Sequence, residues 1–216
     1  MTMKKLNVPT LSEIFHHKKI RKINTAIDKL DKEVIGYTPW SDYDYKPDAG
    51  FAIAHSPSFI FLKYYVCEQE VKAVFTKTND PVYRDSCVEF FICFDDDKNY
   101  YNLEFNSDGV CLIGYGSSGE NRRLLPIDLI EKIQNLTIKA KSDSVYHQVY
   151  WQLTLAIPKE VFCFNPIGAL RGKTARANFY KCGDDLAVPH FLAWNNICTE
   201  QPDFHQPDFF GELYFL

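Results

Sequence analysis

Hydrophobic and polar residues alternate along much of this chain with a period of two, which is typical of β-strands. The clearest example lies between Tyr83 and Gly116. Its first predicted strand places four apolar side chains on one face: Val88, Phe90, Ile92 and Phe94. The side chains between them point to the other face: Glu89, Phe91 and Cys93. We therefore predict a hairpin with one apolar face and one face that carries carboxylates, amides and aromatic rings.

The second strand of this hairpin divides its side chains in the same way, with Asn102, Glu104 and Asn106 on its polar face. A register that pairs Phe91 with Asn102 is one natural choice. In that register Glu89 lies opposite Glu104, whereas a slip of two residues would bring Asn106 to the same position. In either case polar groups converge on one face of the sheet.

A third segment, TARANFYKCGDD, repeats the pattern with a polar and aromatic row of Arg176, Asn178 and Tyr180. Together with the glutamates these side chains supply donors, acceptors and a flat apolar ring. Sugars require that mixture, so the face is a candidate sugar-binding surface. An ordinary solvated face of an antiparallel sheet is the alternative reading of the same pattern.

Strand patterns dominate the rest of the chain, separated by Gly, Pro, Asn and Asp turns. The predicted strands are FAIAHS, FIFLKYYV, VKAVFT, CVEFFICF, YYNLEFN, VCLIGYG, LTIKAKS, VYWQLTLAI, ARANFYKC, HFLAW and GELYFL. Helix-like spacing occurs in PIDLIEKI and, loosely, from Leu11 to Leu30. The pattern predicts an all-β protein, an antiparallel β-sandwich or jelly roll with one or two short helices. Residues 1–36 are expected to form an arm or lead-in packed on a domain of residues 37–216.

Composition excludes several classes of function. The 216 residues, 46% of them hydrophobic, suit one domain with a sizeable core, and the net charge of −4 lacks the basic excess of nucleic-acid binders. No run approaches the ~20 apolar residues of a membrane helix, and no signal peptide is visible. We expect a cytoplasmic protein from the chain as written, or an extracytoplasmic one if the chain was trimmed. The seven cysteines, an odd number without C-x-x-C pairs, are expected to be reduced.

Other motifs have ordinary structural explanations. Gly114 to Gly119 fits G-x-G-x-x-G, but no βαβ unit surrounds it, so we interpret it as a loop. The run Asp95 to Asp97 is typical of a turn between strands. The three tryptophans are predicted to pack in the interior: Trp40, Trp151 and Trp194. Phe204, in a loop with two prolines, is harder to explain by packing alone.

Three pieces of the sequence resemble the family 9 carbohydrate-binding modules. They are the segment DSCVEFFI after Tyr83, the segment IPKEVF, and the C-terminal run LAWNNICTEQPDFHQPDFFGELYFL. The resemblance extends from about Trp40 to the last residue. It implies a β-sandwich that binds the end of a glucan or xylan chain between two aromatic rings, with a carboxylate and amides on the hydroxyl groups.

The resemblance also implies roles for individual residues. The two clamp tryptophans of the family correspond to Tyr83 and Phe204, and its sugar-binding glutamate corresponds to Glu89. A family arginine corresponds to Glu104 and a glutamine to Tyr180, so two polar partners have changed. The family's calcium loop has no clear counterpart, and we predict neither a metal nor another cofactor, with calcium kept as an open alternative.

The sequence thus predicts a non-catalytic protein that binds a mono- or oligosaccharide, with a role in glucan or xylan catabolism. Neither nucleic acid nor membrane is an expected partner, and the oligomeric state is left open. The predicted ligand-binding residues are Tyr83, Arg84, Glu89, Asn102, Glu104, Arg176, Asn178, Tyr180, Phe204 and His205. Arg84 or Arg176 is expected to supply donors to Glu89. The alternative function is a glycoside hydrolase with Glu89 and Glu104 as acid and nucleophile.

Overall fold

Two β-sheets that pack face to face form the structure, a computed structural model that describes residues 3–11, 20–94, 98–141 and 148–216. The described strands are β1 (Lys5–Val8), β2 (Glu33–Val34), β3 (Asp48–His55), β4 (Phe59–Glu68), β5 (Cys87–Phe94), β6 (Tyr100–Asn106), β7 (Cys111–Gly116), β8 (Arg122–Leu124), β9 (Gln134–Lys141), β10 (Val149–Pro158), β11 (Thr174–Cys182), β12 (Phe191–Ala193) and β13 (Gly211–Phe215). The described helices are α1 (Ile20–Ile27) and α2 (Ile127–Ile130). The predicted all-β sandwich with short helices is confirmed.

The larger sheet has the strand order β1-β13-β11-β5-β6-β7-β8, and β12 pairs with β11. The smaller sheet has the order β2-β3-β4-β10-β9. These strand pairs are antiparallel apart from β1 and β13, which run parallel. Strands β6, β5 and β11 lie side by side in the middle of the larger sheet, so the three predicted polar rows meet there.

The first register considered for the hairpin is the one observed. Phe91 pairs with Asn102, and Glu89 pairs with Glu104. On the other side of β5, Tyr180 pairs with Glu89. The polar rows of three strands therefore share one face of the larger sheet.

The opposite face of these strands forms the interior of the sandwich. Phe179 of β11 stacks on Phe51 of the smaller sheet with ring centroids 3.7 Å apart, and on Phe90 of β5 at 5.0 Å. Trp194 completes the group with its ring edge toward Phe179. Trp40, Trp151 and Trp194 are buried, as predicted from the sequence.

A second apolar cluster covers the polar-row face of the larger sheet. It joins Phe91 to side chains from irregular segments, among them Trp40, Val82, Phe204 and Phe210. Short 3₁₀ turns at Val82–Arg84 and Pro207–Phe209 lie in these covering segments. Every residue of β5 is consequently buried, on both faces.

Some local predictions need correction. The predicted strand VKAVFT forms no strand, because the backbone N–H groups of Val74 and Phe75 donate to the carboxylate of Asp85 rather than to a neighbouring strand. Three short strands were not predicted: β1, β2 and β8. Within the loosely helical stretch, α1 covers Ile20–Ile27, whereas residues 12–19 and the predicted turn at 95–97 lie outside the described residues.

The G-x-G-x-x-G motif has a packing explanation. Gly114 lies directly opposite Asn102, and a Cβ on Gly114 would come within 2.7 Å of the Asn102 side-chain oxygen. A Cβ on Gly116 would collide with the backbone oxygen of Asn121. The glycines therefore permit close approach within the sheet. Among the described residues, no helix has the length and apolar character needed to span a membrane.

Candidate functional site

A cavity of about 200 Å³ opens on the covered face of the larger sheet. Its floor is formed by Glu89 of β5, Glu104 of β6 and Cys182 at the end of β11. The other lining residues come mainly from loops: Tyr83, Arg122, Asp184, Phe191, Pro202, Asp203, Phe204 and His205. Regular strands thus fix the floor, and segments distant in sequence form the walls.

Glu104 carries the most distinctive feature of the floor. Its Oε1 atom accepts hydrogen bonds from the Asn102 amide at 2.7 Å and from the Arg122 guanidinium at 3.1 Å. Its Oε2 atom is buried and has no hydrogen-bond partner among the described residues. A buried carboxylate oxygen without a donor costs free energy. The oxygen is therefore positioned to accept a hydrogen bond from a molecule in the cavity.

Glu89 differs from Glu104 in its partners. Its Oε1 atom accepts a hydrogen bond from the Cys182 thiol at 3.1 Å. Burial, and then the neighbouring Glu104, raise the pKa of Glu89 well above its ordinary value. Burial also raises the pKa of Glu104, but Arg122 and Asn102 act in the opposite direction. The guanidinium of Arg122 and the amide of Asn102 thus make Glu104 the better hydrogen-bond acceptor of the two carboxyl groups.

Two aspartates complete the acidic lining. Burial, followed by the charges of Glu104 and Asp185, raises the pKa of Asp184 to about 7. Asp203 is engaged within its own loop, where it accepts from the backbone N–H of His205 at 2.8 Å and from the Gln206 amide at 2.6 Å. The cavity lining therefore contains four carboxyl groups and one guanidinium, that of Arg122.

Arg122 and His205 form a hydrogen-bonded chain along one wall. The Arg122 guanidinium lies 3.1 Å from His205 Nε2, and the Tyr100 hydroxyl lies 2.7 Å from His205 Nδ1. Because a guanidinium can only donate, Nε2 accepts and the proton of the neutral ring sits on Nδ1. Burial, together with the positive charge of Arg122, lowers the pKa of His205 to about 4. His205 is therefore neutral near pH 7 and holds Arg122 against Glu104.

Aromatic side chains form the upper part of the cavity. The Phe204 ring is stacked on Tyr180, with centroids 4.1 Å apart and planes 7° apart. Phe191 contacts it in an edge arrangement with centroids 6.0 Å apart, and the tilted Trp40 ring lies at 5.8 Å. Tyr83 is partly exposed at the opening. Tyr83 and Phe204, which are far apart in sequence, thus line the same cavity.

Half of the predicted ligand-binding residues line the cavity and half lie around it. Those in the lining are Tyr83, Glu89, Glu104, Phe204 and His205. Asn102 contacts Glu104 from the side, and Tyr180 supports Phe204 by stacking and by donating its hydroxyl to the Phe204 carbonyl at 3.1 Å.

The remaining three predicted residues have partners elsewhere. Arg84 pairs with Asp185 at 2.6 Å, so the expected donation from Arg84 to Glu89 is not observed. Arg176 donates to the Pro207 carbonyl at 3.1 Å, and the expected donation to Glu89 is not observed there either. Asn178 is fully buried, and its amide donates to the Asn195 carbonyl at 2.8 Å. These groups fix the loops that cover the sheet.

Several lining residues, above all Arg122, were not predicted from the sequence. This arginine lies in ENRRLLP, which follows the glycine motif and shows no strand alternation, although the structure makes it the first residue of β8. Asp184 lies at the charged end of TARANFYKCGDD, the segment that carries the third polar row. Its position there could have identified it as a candidate site residue. Phe191, Pro202 and Asp203 reach the cavity through loop paths that periodicity does not specify.

One group of side chains at the floor has the donor atoms of a metal site. The thiols of Cys87 and Cys182 and a carboxylate oxygen of Glu89 lie within 4.8 Å of one another. All three residues are buried.

Comparison with known proteins identifies the family to which this chain is similar. The model of carbohydrate-binding family 9 matches residues 21–215. A protein from Bacteroides uniformis ATCC 8492, described as a candidate carbohydrate-binding protein, is 34% identical over 100% of both chains, with a TM-score of 0.90. No protein with curated annotation matches the sequence.

Two further solved structures share the fold at low identity. They are family 9 modules from Caldicellulosiruptor kristjanssonii, one in complex with glucose and one with cellotriose. The glucose complex has a TM-score of 0.57 at 12% identity and covers 99% of this chain and 96% of its own. The cellotriose complex has a TM-score of 0.60 at 11% identity and covers 98% and 93%. At this identity the likeness concerns the fold.

Proposed function

This chain belongs to carbohydrate-binding family 9, and from that premise we propose that it binds a sugar, or the end of a sugar chain, in the cavity without catalysing a reaction. One observation carries the proposal most directly. The buried Oε2 atom of Glu104 has no donor among the described residues, although it lines a cavity of about 200 Å³. A sugar hydroxyl supplies the missing donor.

Hydroxyl recognition is divided among three side chains of the cavity. The Glu104 carboxylate accepts hydrogen bonds, and the Arg122 guanidinium donates them. The carboxyl group of Glu89 lines the same cavity and accepts a hydrogen bond from the Cys182 thiol. Neighbouring hydroxyl groups of a pyranose each present a donor and an acceptor, so this combination suits a vicinal diol. The low dielectric of the buried floor strengthens each of these hydrogen bonds.

Apolar contact comes from the aromatic side chains near the opening. Tyr83, Phe191 and Phe204 line the same cavity. The axial C–H bonds of a pyranose pack against aromatic faces, and such contacts add dispersion energy and exclude water. The Phe204 ring cannot move freely, because Tyr180 stacks on it. A fixed ring loses little conformational entropy when the ligand binds.

The volume of the cavity and the charges in its lining limit which sugars can bind. A volume of about 200 Å³ is below the ~300–1,000 Å³ of pockets for drug-sized ligands, which favours a single sugar ring or a chain end. Four carboxyl groups and one guanidinium disfavour uronic acids and favour neutral sugars. The glucose and cellotriose complexes of the Caldicellulosiruptor modules make glucose and β-glucan ends the first ligands to test. A role in glucan or xylan breakdown forms part of this proposal.

A glycoside hydrolase remains the alternative to test. Its only support among the described residues is the cross-strand placement of Glu89 and Glu104. The family match is to a binding module, and one oxygen of Glu104 is already held by Arg122 and Asn102. We therefore propose binding without turnover.

The test is calorimetric titration of the protein with glucose, cellotriose and glucuronate. We expect binding of the neutral sugars and much weaker binding of glucuronate. Glu104→Gln should lower the affinity by about 10- to 100-fold, since a hydrogen bond to a charged group contributes roughly 1.5–3 kcal/mol. Tyr83→Ala should lower it by about 2- to 10-fold, from the roughly 0.5–1.5 kcal/mol of an aromatic contact.

Tyr150→Ala is the matched control, because Tyr150 is also an exposed tyrosine but lies on β10 of the other sheet. It should bind like the wild type. Equal affinity of the wild type, Tyr83→Ala and Glu104→Gln proteins would contradict the assignment of the cavity. If the wild-type protein released reducing sugar from cellotriose and the Glu104→Gln variant did not, the protein would be a glycoside hydrolase instead.

A further inference from the structure

Three ligand groups meet beneath the floor of the cavity. The sulfur atoms of Cys87 and Cys182 and a carboxylate oxygen of Glu89 lie within 4.8 Å of one another. The Cys182 sulfur is 3.1 Å from Glu89 Oε1. All three side chains are at most 3% exposed. Within the part of the chain that the structure describes, this is the one group of at least three His, Cys, Asp or Glu side chains with such close ligand atoms.

Strand pairing explains why these groups meet. Cys87 begins β5 and Cys182 ends β11, and the two residues lie directly opposite each other in the antiparallel ladder. Glu89 is two residues farther along β5, so its side chain points to the same face as that of Cys87. Two neighbouring strands in the middle of a sheet form a rigid scaffold, so the three ligand atoms are preorganised.

We propose that Cys87, Cys182 and Glu89 bind a zinc ion, with a fourth coordination position open toward the cavity. Two thiolates and a carboxylate suit Zn²⁺, whereas calcium and magnesium require oxygen ligands. Tetrahedral zinc with bonds of about 2.0–2.3 Å places its ligand atoms roughly 3.3–3.8 Å apart. The observed ligand atoms all lie within 4.8 Å of one another, so binding of the ion would draw the three side chains closer together.

The cavity gives the ion a path of entry. Cys182 and Glu89 line it, and the Cys87 sulfur lies within 4.8 Å of their ligand atoms. An ion that enters from the cavity therefore meets Cys182 and Glu89 with the Cys87 sulfur within reach. Water or a sugar hydroxyl would occupy the fourth position, since zinc sites with three protein ligands keep an open one. Binding releases the protons of the two thiols and any proton held by the Glu89 carboxyl group.

The proposed zinc site is distinct from the proposed sugar site but shares Glu89 with it. A bound ion would use the Glu89 carboxylate that otherwise contributes to the floor of the proposed sugar site. Cys87 does not line the cavity, so a substitution of Cys87 can distinguish metal binding from sugar binding. Replacing Cys87 should weaken metal binding and leave the binding of glucose by the metal-free protein close to that of the wild type.

The test is titration of the reduced, metal-free full-length protein with Co²⁺ as a spectroscopic probe, followed by displacement with Zn²⁺. We expect one equivalent of Co²⁺ to produce sulfur-to-cobalt charge-transfer absorption and the visible bands of tetrahedral cobalt, and Zn²⁺ to abolish both. Cys87→Ser and Cys182→Ser should each lose the charge-transfer intensity of one sulfur. Glu89→Gln should weaken Co²⁺ binding by at least about tenfold.

Cys111→Ser is the matched control, since Cys111 is also a buried thiol but belongs to the interior cluster of the sandwich. It should give the wild-type spectrum. Absence of the charge-transfer band in the reduced wild-type protein would overturn the inference, as would an unchanged band in both Cys87→Ser and Cys182→Ser. Glu89→Gln keeps the test decisive if a cysteine variant does not fold, because an unchanged cobalt affinity would also overturn it.

Discussion

The two faces of the central strands β5 and β11 are both buried, but they differ in what covers them. One face packs against the smaller sheet, where Phe179 contacts Phe51 and Phe90 in a continuous stack. The other face, with Glu89 and Tyr180, is covered by loops and short 3₁₀ turns. A second sheet brings a regular apolar surface that fills the space. Loops bring individual side chains, and here they leave a cavity with polar groups at its floor.

The comparison shows that burial alone does not identify the functional face. Every residue of β5 is buried. The difference lies in what the buried carboxylates face. Glu104 Oε2 on the loop-covered face has no donor among the described residues and Glu104 lines the cavity, whereas Glu68 Oε2 on the sheet-facing side lies 2.9 Å from Lys181 Nζ. Four experiments test this distinction.

Phe179→Ala should produce the largest loss of stability. The substitution removes a ring from the middle of the sheet-to-sheet stack, and truncating a buried Phe costs about 3–5 kcal/mol. The free energy of unfolding in urea should fall by that amount, while the glucose affinity of the folded protein stays near the wild-type value. A large loss of affinity without a loss of stability would contradict the division between the two faces.

Lys181→Met probes the charged cluster on the sheet-facing side of β11. Lys181 Nζ lies 2.9 Å from Glu68 Oε2 and donates to the Cys182 carbonyl at 2.8 Å, and it is fully buried. Removing one member of a buried ion pair costs about 3–5 kcal/mol, because the remaining charge is left uncompensated. Urea unfolding measures the loss. The double variant Lys181→Met/Glu68→Gln should recover part of it, and no recovery would argue against the ion pair as the cause.

Arg122→Met addresses the loop-covered face. Without the guanidinium, the carboxylate of Glu104 keeps only the Asn102 amide, so we expect a stability loss of about 1–3 kcal/mol and weaker glucose binding. Calorimetric titration and urea unfolding give the two values. Arg123→Met is the control, because Arg123 stacks on Phe164 and does not line the cavity. Equal effects of both substitutions would show that Arg122 has no special role.

His205→Gln should have the smallest effect near pH 7, and its consequence is a change in the pH dependence of stability. The pKa of His205 is about 4 in the folded protein and near 6.5 in the unfolded chain, since burial and Arg122 oppose the imidazolium, while Asp203 acts weakly in the opposite direction. Between these values the unfolded chain binds the proton, so stability is fully present above about pH 6.5 and is lost as the pH falls toward 4.

The Gln variant should lose less stability over this interval, measured by urea unfolding at several pH values between 4 and 8. Tyr100 faces the ring as well, but its phenol, whose pKa burial raises above its ordinary value, stays neutral throughout the range. His190 also contributes, because burial and Lys181 lower its pKa to about 3. An unchanged pH profile in the His205→Gln protein would therefore assign the acid sensitivity to His190 or to the carboxyl groups.

Strand alternation was sufficient to predict which face of each central strand is polar. It left either Glu104 or Asn106 opposite Glu89, and the observed register pairs Glu89 with Glu104. Ten of the eleven predicted strands are present, and the exception, VKAVFT, donates its backbone N–H groups to the buried carboxylate of Asp85. A side-chain acceptor from eleven residues away cannot be recognised from periodicity.

By itself, then, the sequence determined the sandwich and the polar rows of β5, β6 and β11, because side-chain direction in a strand follows directly from position along the chain. Only the tertiary structure decided that Arg122 supports Glu104, that Phe204 rests on Tyr180, and that Cys87 and Cys182 lie opposite each other. These contacts join residues separated by 18 to 95 positions. They depend on loop paths and on the order of the strands, which the packing of the whole chain determines.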